Sequence, residues 1–252
     1  MRVHSHGDRI RPGRYAGRAR FARSVLLLDR AQRALFVVDR SIGAGPLNLV
    51  VARPENFASG DWLDVPRVLP GRRYDSALPR LDGVARARLA GVLQTALPRH
   101  APPDSLGSLF QPTAHLPRLQ AARDRRFRQA LGHLAAGRLA AGARLLRGCG
   151  AGLTPAGDDF LCGWMLACRL QGQPARARVL VQHARGGNPV SNAFLEMAAQ
   201  GRVHRAMKDL LRAPGPARVR AVCAFGHSSG ADLLWGLWYG LDDSGAGPSG
   251  PE

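Results

Sequence analysis

Between Ser24 and Val51 the chain sets short apolar runs between polar breaks. Ser24-Val-Leu-Leu-Leu-Asp29 and Ala34-Leu-Phe-Val-Val-Asp39 flank the polar stretch Arg30 to Arg33, which is a hairpin signature. Gly43-Ala-Gly-Pro-Leu-Asn-Leu-Val-Val51 then reads as a turn feeding a third strand, and Pro and Gly recur from Pro54 to Pro79 at intervals that suit short strands. Residues 20–80 are therefore expected to be mostly β. At Leu81 the period changes: Leu81, Val84, Ala85, Leu89, Val92 and Leu93 fall at helical spacing until Pro98 to Pro103 interrupt. Leu119 to Leu146 places Phe127, Leu131, Leu134, Leu139 and Leu145 among arginines and alanines, predicting one or two amphipathic helices broken near Gly137. Further helices are expected over 159–170, 175–183, 191–199, 203–211 and 231–241. Strands followed by helices make the fold class α+β. The expected organisation is a disordered basic N-terminus (1–23), a β-rich part (24–118), a helical part (119–241) and a disordered Gly, Pro and Ser tail (242–252).

Composition narrows the function classes. No apolar stretch reaches the length of a membrane span, and the start is basic without an apolar core, so a cytoplasmic protein with no membrane partner is expected. The formal charge of +18 would ordinarily suggest a polyanion, but Lys208 is the sole lysine and the arginines are scattered rather than clustered with aromatics. Nucleic acid is therefore not the expected partner; a small anionic substrate is. Cys149, Cys162, Cys168 and Cys223 lack Cys-x-x-Cys spacing and read as reduced structural thiols.

The chemistry concentrates in Gly148-Cys-Gly-Ala-Gly-Leu-Thr-Pro-Ala-Gly-Asp-Asp159, just where a helix is about to begin. Glycines permit positive φ and close approach of a ligand, and a helix start offers unpaired N–H groups, so Gly150, Gly152, Thr154 and Gly157 are candidate anion-binding positions. Thr154 is the expected N-cap, with Pro155 at the first helical position. The competing reading is a capped helix start in which Asp158 and Asp159 only complement the helix dipole. Gly157-x-Asp159-x-Leu161-x-Gly163 recurs as Gly230-x-Asp232-x-Leu234-x-Gly236, preceded by Ser228-Ser229. In each copy small residues follow the Asp on the same helical face: Gly163 and Ala167, then Gly236 and Gly240. The two helices are expected to pack along these stripes and to bring Asp159 and Asp232 to one pocket, where a cation, an arginine or raised pKa values must relieve the repulsion. His227 opens the second copy and is a candidate acid/base group. Ser191 and Asn192 mark another expected helix start, explained by a cap.

Gly150-x-Gly-Leu-Thr-Pro-Ala-Gly-Asp-Asp-Phe-Leu-Cys-Gly163, Ser191-Asn-Ala-Phe-Leu-Glu-Met-Ala-Ala-Gln-Gly201 and Gly226-His-Ser-Ser-Gly-Ala-Asp232-x-Leu-x-Gly236 resemble the AllH family. This bacterial family includes a subunit of oxamate carbamoyltransferase. Gly43-x-Gly-Pro-Leu-Asn48 looks like its N-terminal element, so the resemblance covers about residues 24–241 and adds Asn48 to the candidate binding residues. The resemblance implies an enzyme that exchanges a carbamoyl group between carbamoyl phosphate and oxamate in purine-derived (allantoin) catabolism. This chain would act in it beside other subunits. In that reaction Asp158, Asp159, His227 and Asp232 are candidate catalytic residues, with Ser228, Ser229 and Ser191 beside the substrate. Two carboxylates would repel an anion, so Asp158 and Asp159 would hold Mg²⁺, orient an amine, or point away as caps; no other cofactor is expected. The alternatives are a non-catalytic assembly or regulatory subunit and a metabolite-binding protein.

Overall fold

A computed structural model describes residues 2–54, 57, 60–110 and 118–241. The chain divides into two compact units. Residues 1–78 and 202–208 form the first, and residues 79–201 together with 209 onward form the second.

Apolar runs become strands in the first unit. The strands are β1 (Val3–Gly7), β2 (Gly13–Phe21), β3 (Ser24–Asp29), β4 (Ala34–Val38), β5 (Asn48–Val51), β6 (Trp62–Val65) and β7 (Arg72–Tyr74), joined in one sheet in the order β6-β2-β3-β4-β5-β1-β7. The expected hairpin is β3–β4, antiparallel, with Leu26 opposite Phe36, and the third run is β5, parallel to β4. Val25, Leu27, Leu35, Val37, Leu49 and Val51 share one core with Tyr15 and Val65. The alternate residues Leu26, Leu28, Phe36 and Val38 are buried as well, which is why these strands read as continuous apolar runs rather than as alternation. Residues 1–23 are not disordered: β1 and β2 lie there, and β2 is the partner of both β3 and β6. Arginines at exposed positions of β2 lower its mean hydropathy and hide its buried Tyr15 and Ala16.

Residues 202–208 return to this unit through polar contacts. Arg202 Nη1 pairs with Asp8 Oδ2 at 3.0 Å, and the buried Lys208 donates from Nζ to the Asp75 carbonyl at 2.6 Å.

The second unit is helical: α1 (Gly83–His100), a 3-10 turn (Leu106–Leu109), α2 (Arg118–Ala135), α3 (Leu139–Leu146), α4 (Ala156–Leu170), α5 (Pro174–Ala184), α6 (Pro189–Ala199), α8 (Pro216–Cys223) and α9 (Ser229–Leu241). Helix α7 (Arg205–Arg212) starts in the first unit and ends in the second. The helical part thus begins at Gly83 and not at 119, and α8 joins the expected set. The break between α2 and α3 falls at Gly137, whose φ is 72°. Residues 242–252, expected to be a disordered tail, lie outside the described residues.

Helix α4 is the axis of this unit: every residue in it except Arg169 is buried. Helices α5, α6 and α9 all pack against it. All four cysteines are free and buried, and burial raises their pKa values, Cys168 and Cys223 to about 11. The thiolate is the reactive form. Native protein at about pH 8 is therefore expected to leave Ellman's reagent unreacted for minutes, and all four thiols should titrate once guanidinium unfolds it.

Candidate functional site

Helices α4 and α9 touch backbone to backbone. A Cβ added at Gly163 would lie 1.9 Å from the Leu233 carbonyl oxygen, and one at Gly236 would lie 1.9 Å from that of Phe160. The two contacts are reciprocal, each glycine seated on the residue three before the other. The motif is thus one half of a self-complementary pair, and only glycine fits at either position.

The repeat extends upstream of what the sequence displays. Gly157 packs on the end of α3, where an added Cβ would meet the Leu146 oxygen at 2.0 Å, and Gly230 packs on the end of α8, against the Val222 oxygen at 1.9 Å. Gly157 N donates to the Cys149 carbonyl at 2.8 Å, and Gly230 N to that of Phe225 at 3.0 Å. Helices α3–α4 and α8–α9 are therefore two copies of one helix–turn–helix, with the first turn longer by Ala151, Gly152 and Leu153.

Close packing of α4 on α9 brings their first turns together. Thr154 Oγ1 lies 3.1 Å from Asp159 Oδ2 and 2.9 Å from Ser229 Oγ, bridging the start of α4 to the start of α9. The Ser229 hydroxyl lies close enough to favour the ionised form of Asp159. Asp232 is fully buried, and its Oδ1 accepts from Leu106 N at 2.8 Å while Oδ2 has no partner. The Ser228 hydroxyl lies close enough to favour the ionised form of Asp232. Arg123 fixes the 3-10 turn that supplies Leu106 N, donating to the carbonyls of Asp104 and Ser105 and to Ser108 Oγ.

Burial dominates the electrostatics. It pushes Asp159 well above the usual carboxylate range, with the charge of Asp232 adding to the effect and the hydroxyls of Ser229 and Thr154 opposing it. It pushes Asp232 up to about 7, against the pull of Leu106 N–H and Ser228. Raised pKa values are thus what relieves the expected repulsion. A protonated carboxyl is a neutral donor, and the charge of Arg123 also acts on Asp232, pulling it back toward the ionised form.

Several expected site residues have other duties. Asp158, also raised by burial, turns away from Asp159 and accepts from Gly148 N at 2.8 Å. The Ser191 hydroxyl lies close enough to favour ionised Asp158, yet it completes no well-formed hydrogen bond and stays buried without a partner. The adjacent pair does not converge on Mg²⁺, and among the described residues no group of three His, Cys, Asp or Glu side chains can hold a metal ion. Thr154 is not the N-cap: Pro155 holds that place, with no side-chain cap bond, because the Thr154 hydroxyl is turned to Asp159 and Ser229. Nor is the start of α4 an open anion cradle. Gly157 N is spent on Cys149, and Asp158 N and Asp159 N both donate to the Pro155 carbonyl. Gly150 and Gly152 take left-handed φ values of 120° and 100° in the exposed loop above it. His227 is exposed and pairs with Asp104 at 2.7 Å. Asn48 belongs to the first unit, where its side chain donates to the Gly43 carbonyl and pins a turn.

Two contributors escape sequence reasoning. Leu106 N reaches Asp232 from 126 positions away and leaves no local signal. Asn188 does leave one. It caps α6 through Val190 N and Ser191 N, ahead of Pro189 at the first helical position, and its Nδ2 donates to the Leu153 carbonyl, tying down the Gly-rich loop. Asn192 lies inside that helix and bonds Gly186, so neither it nor Ser191 starts it.

The family model described as oxamate carbamoyltransferase subunit AllH matches residues 146–241. Over this stretch the chain is AllH-like. The AllH-like stretch runs from the end of α3 to the end of α9, so it contains both Asp-bearing helix starts and their bridge. No curated protein and no solved structure matches the chain.

Proposed function

We propose that the chain is one subunit of an oxamate carbamoyltransferase-like enzyme, which moves a carbamoyl group between carbamoyl phosphate and oxamate, and that the α4–α9 junction is its working site. The observation that carries this reading is the Thr154 bridge between Asp159 and Ser229, inside the AllH-like stretch. Carbamoyl transfer makes a C–N bond, breaks a C–O bond to phosphate, and places negative charge on the carbonyl oxygen between the two events. A neutral carboxyl can donate a hydrogen bond to that oxygen, and its ionised form can take the proton lost by the attacking nitrogen. The half-buried Thr154 hydroxyl, which bonds Asp159 and the half-buried Ser229, supports both roles for Asp159. Raised pKa values lessen the repulsion that an anionic substrate would meet from the two acids.

The test uses the complex captured through a tag on this chain in its own cells, assayed with carbamoyl phosphate and oxamate. The complex should turn over and the purified chain alone should not. Thr154→Val and Asp159→Asn should each lower kcat about 100-fold, the scale of losing one oriented donor or base, while a cooperative thermal transition is retained. Robust turnover by the chain alone would end the subunit reading.

A second reading, an assembly subunit without catalytic groups, is favoured by the internal satisfaction of the start of α4, whose N–H groups at Gly157, Asp158 and Asp159 all have protein acceptors. Full activity in both variants would select it.

A further inference from the structure

Far along the sequence from the Asp motifs, the first unit carries an arginine-lined cavity of about 350 Å³ bounded by Arg14, Asp29, Arg30, Ala31, Arg33 and Trp62. Its floor is rigid. Asp29 ends β3 and accepts from Arg33 N at 2.8 Å through Oδ1, and its Oδ2 meets Arg33 Nε at 2.5 Å. Gln32, at φ 59°, closes the β3–β4 turn by donating from N to the Asp29 carbonyl at 3.0 Å. This is the left-handed conformation that a non-glycine residue adopts only where the surroundings hold it.

The charges lining this cavity do not balance. Asp29 is committed to Arg33, leaving Arg14 and Arg30. Arg30 makes no ion pair or hydrogen bond with the described residues. Arg14 reaches Asp64 only at 3.9 Å, with side chains 64% and 81% exposed, a pairing that solvent screens almost to nothing. Arg14 instead lies over the Trp62 ring, 4.7 Å from its centroid, and that indole is 52% exposed on the edge strand β6. A large aromatic left open to water beside two uncompensated guanidinium groups is the pairing that binds a phosphoryl dianion and the planar group attached to it. The arginine forks match phosphate oxygens, and the indole offers apolar contact.

We propose that this cavity is a binding site for a small phosphorylated molecule. Its phosphoryl group is held by Arg14 and Arg30, and its organic part rests against Trp62. The site is independent of the Asp159–Asp232 junction and needs no partner subunit. Calorimetric titration of the full chain with phenyl phosphate and with inorganic phosphate, at ionic strength matched with sodium chloride, tests it. Both should bind. Arg30→Gln and Arg14→Gln should each weaken both ligands about tenfold, the scale of one charge-assisted contact, and these exposed substitutions should leave the melting temperature in place. Trp62→Leu should weaken phenyl phosphate and spare inorganic phosphate. The proposal is overturned if neither phosphate gives heat beyond the chloride control, or if both arginine variants bind as the native chain does.

Discussion

Gly236→Val is expected to abolish the native fold of the second unit. The first added carbon would sit 1.9 Å from the Phe160 carbonyl oxygen and 2.7 Å from its carbon, both backbone atoms of a helix buried along its length. No rotamer change relieves such a clash, so α4 and α9 must separate by more than an ångström. Separation would open the core around Phe160, Trp164, Trp235 and Leu237. Overpacking a core usually costs about 1–3 kcal/mol, and a backbone collision belongs at or beyond the upper end. Against a typical domain stability of about 5–15 kcal/mol, Gly236→Ala should lower the melting temperature by many degrees, and valine should leave no cooperative transition. Gly163→Ala, which meets the Leu233 oxygen at the same distance, should behave alike. Gly91→Ala is the control. It changes an exposed helical glycine with nothing within 4 Å of the added carbon, and should stabilise by about 0.5–1 kcal/mol. A Gly236→Ala protein that melts with the native chain would mean that the helices do not meet as described. Thermal unfolding followed by near- and far-ultraviolet circular dichroism reads all four variants.

The second large effect is a dependence of stability on pH. Asp232 titrates near 3.8 when unfolded and at about 7 in the fold, because burial disfavours its charge. Between these values the native state holds a proton that the unfolded chain has released, so its contribution to stability is complete below about pH 4 and is lost as pH rises through 7. Asp159 is displaced in the same direction and adds to the loss. At about 1.4 kcal/mol per unit the Asp232 displacement corresponds to roughly 4 kcal/mol over the full range. Asp232→Asn keeps an oxygen for Leu106 N and cannot ionise. Its urea midpoint should therefore be flatter than that of the native chain between about pH 5 and 8, and higher at the alkaline end. Parallel slopes for variant and native protein would show that Asp232 is not the buried acid responsible. Asp159→Asn should remove a further part of the slope.

The sequence by itself determined the fold class, the β3–β4 hairpin, the change from strands to helices and the existence of the paired Asp helices. Those properties rest on local periodicity and on short spacings: the runs of β3 and β4, the glycine at the α2–α3 break, and the two Gly-x-Asp-x-Leu-x-Gly copies whose small-residue stripes foretell close contact. It underread β1, a short polar strand without an apolar run, and β2, whose exposed arginines mask it; both are stabilised by their neighbours in the sheet rather than by their own composition. Tertiary structure alone decided what the polar residues of the motif do. Whether Thr154 caps its helix or bridges to Ser229 depends on a helix 75 positions away, and whether Asp158 faces a ligand or Gly148 N depends on how the Gly-rich loop closes. The raised pKa values of Asp159 and Asp232 depend on burial, which no spacing encodes. Periodicity is a property of neighbours in the chain; hydrogen-bond partners and desolvation are properties of neighbours in space, and here those come together only when α4 closes on α9.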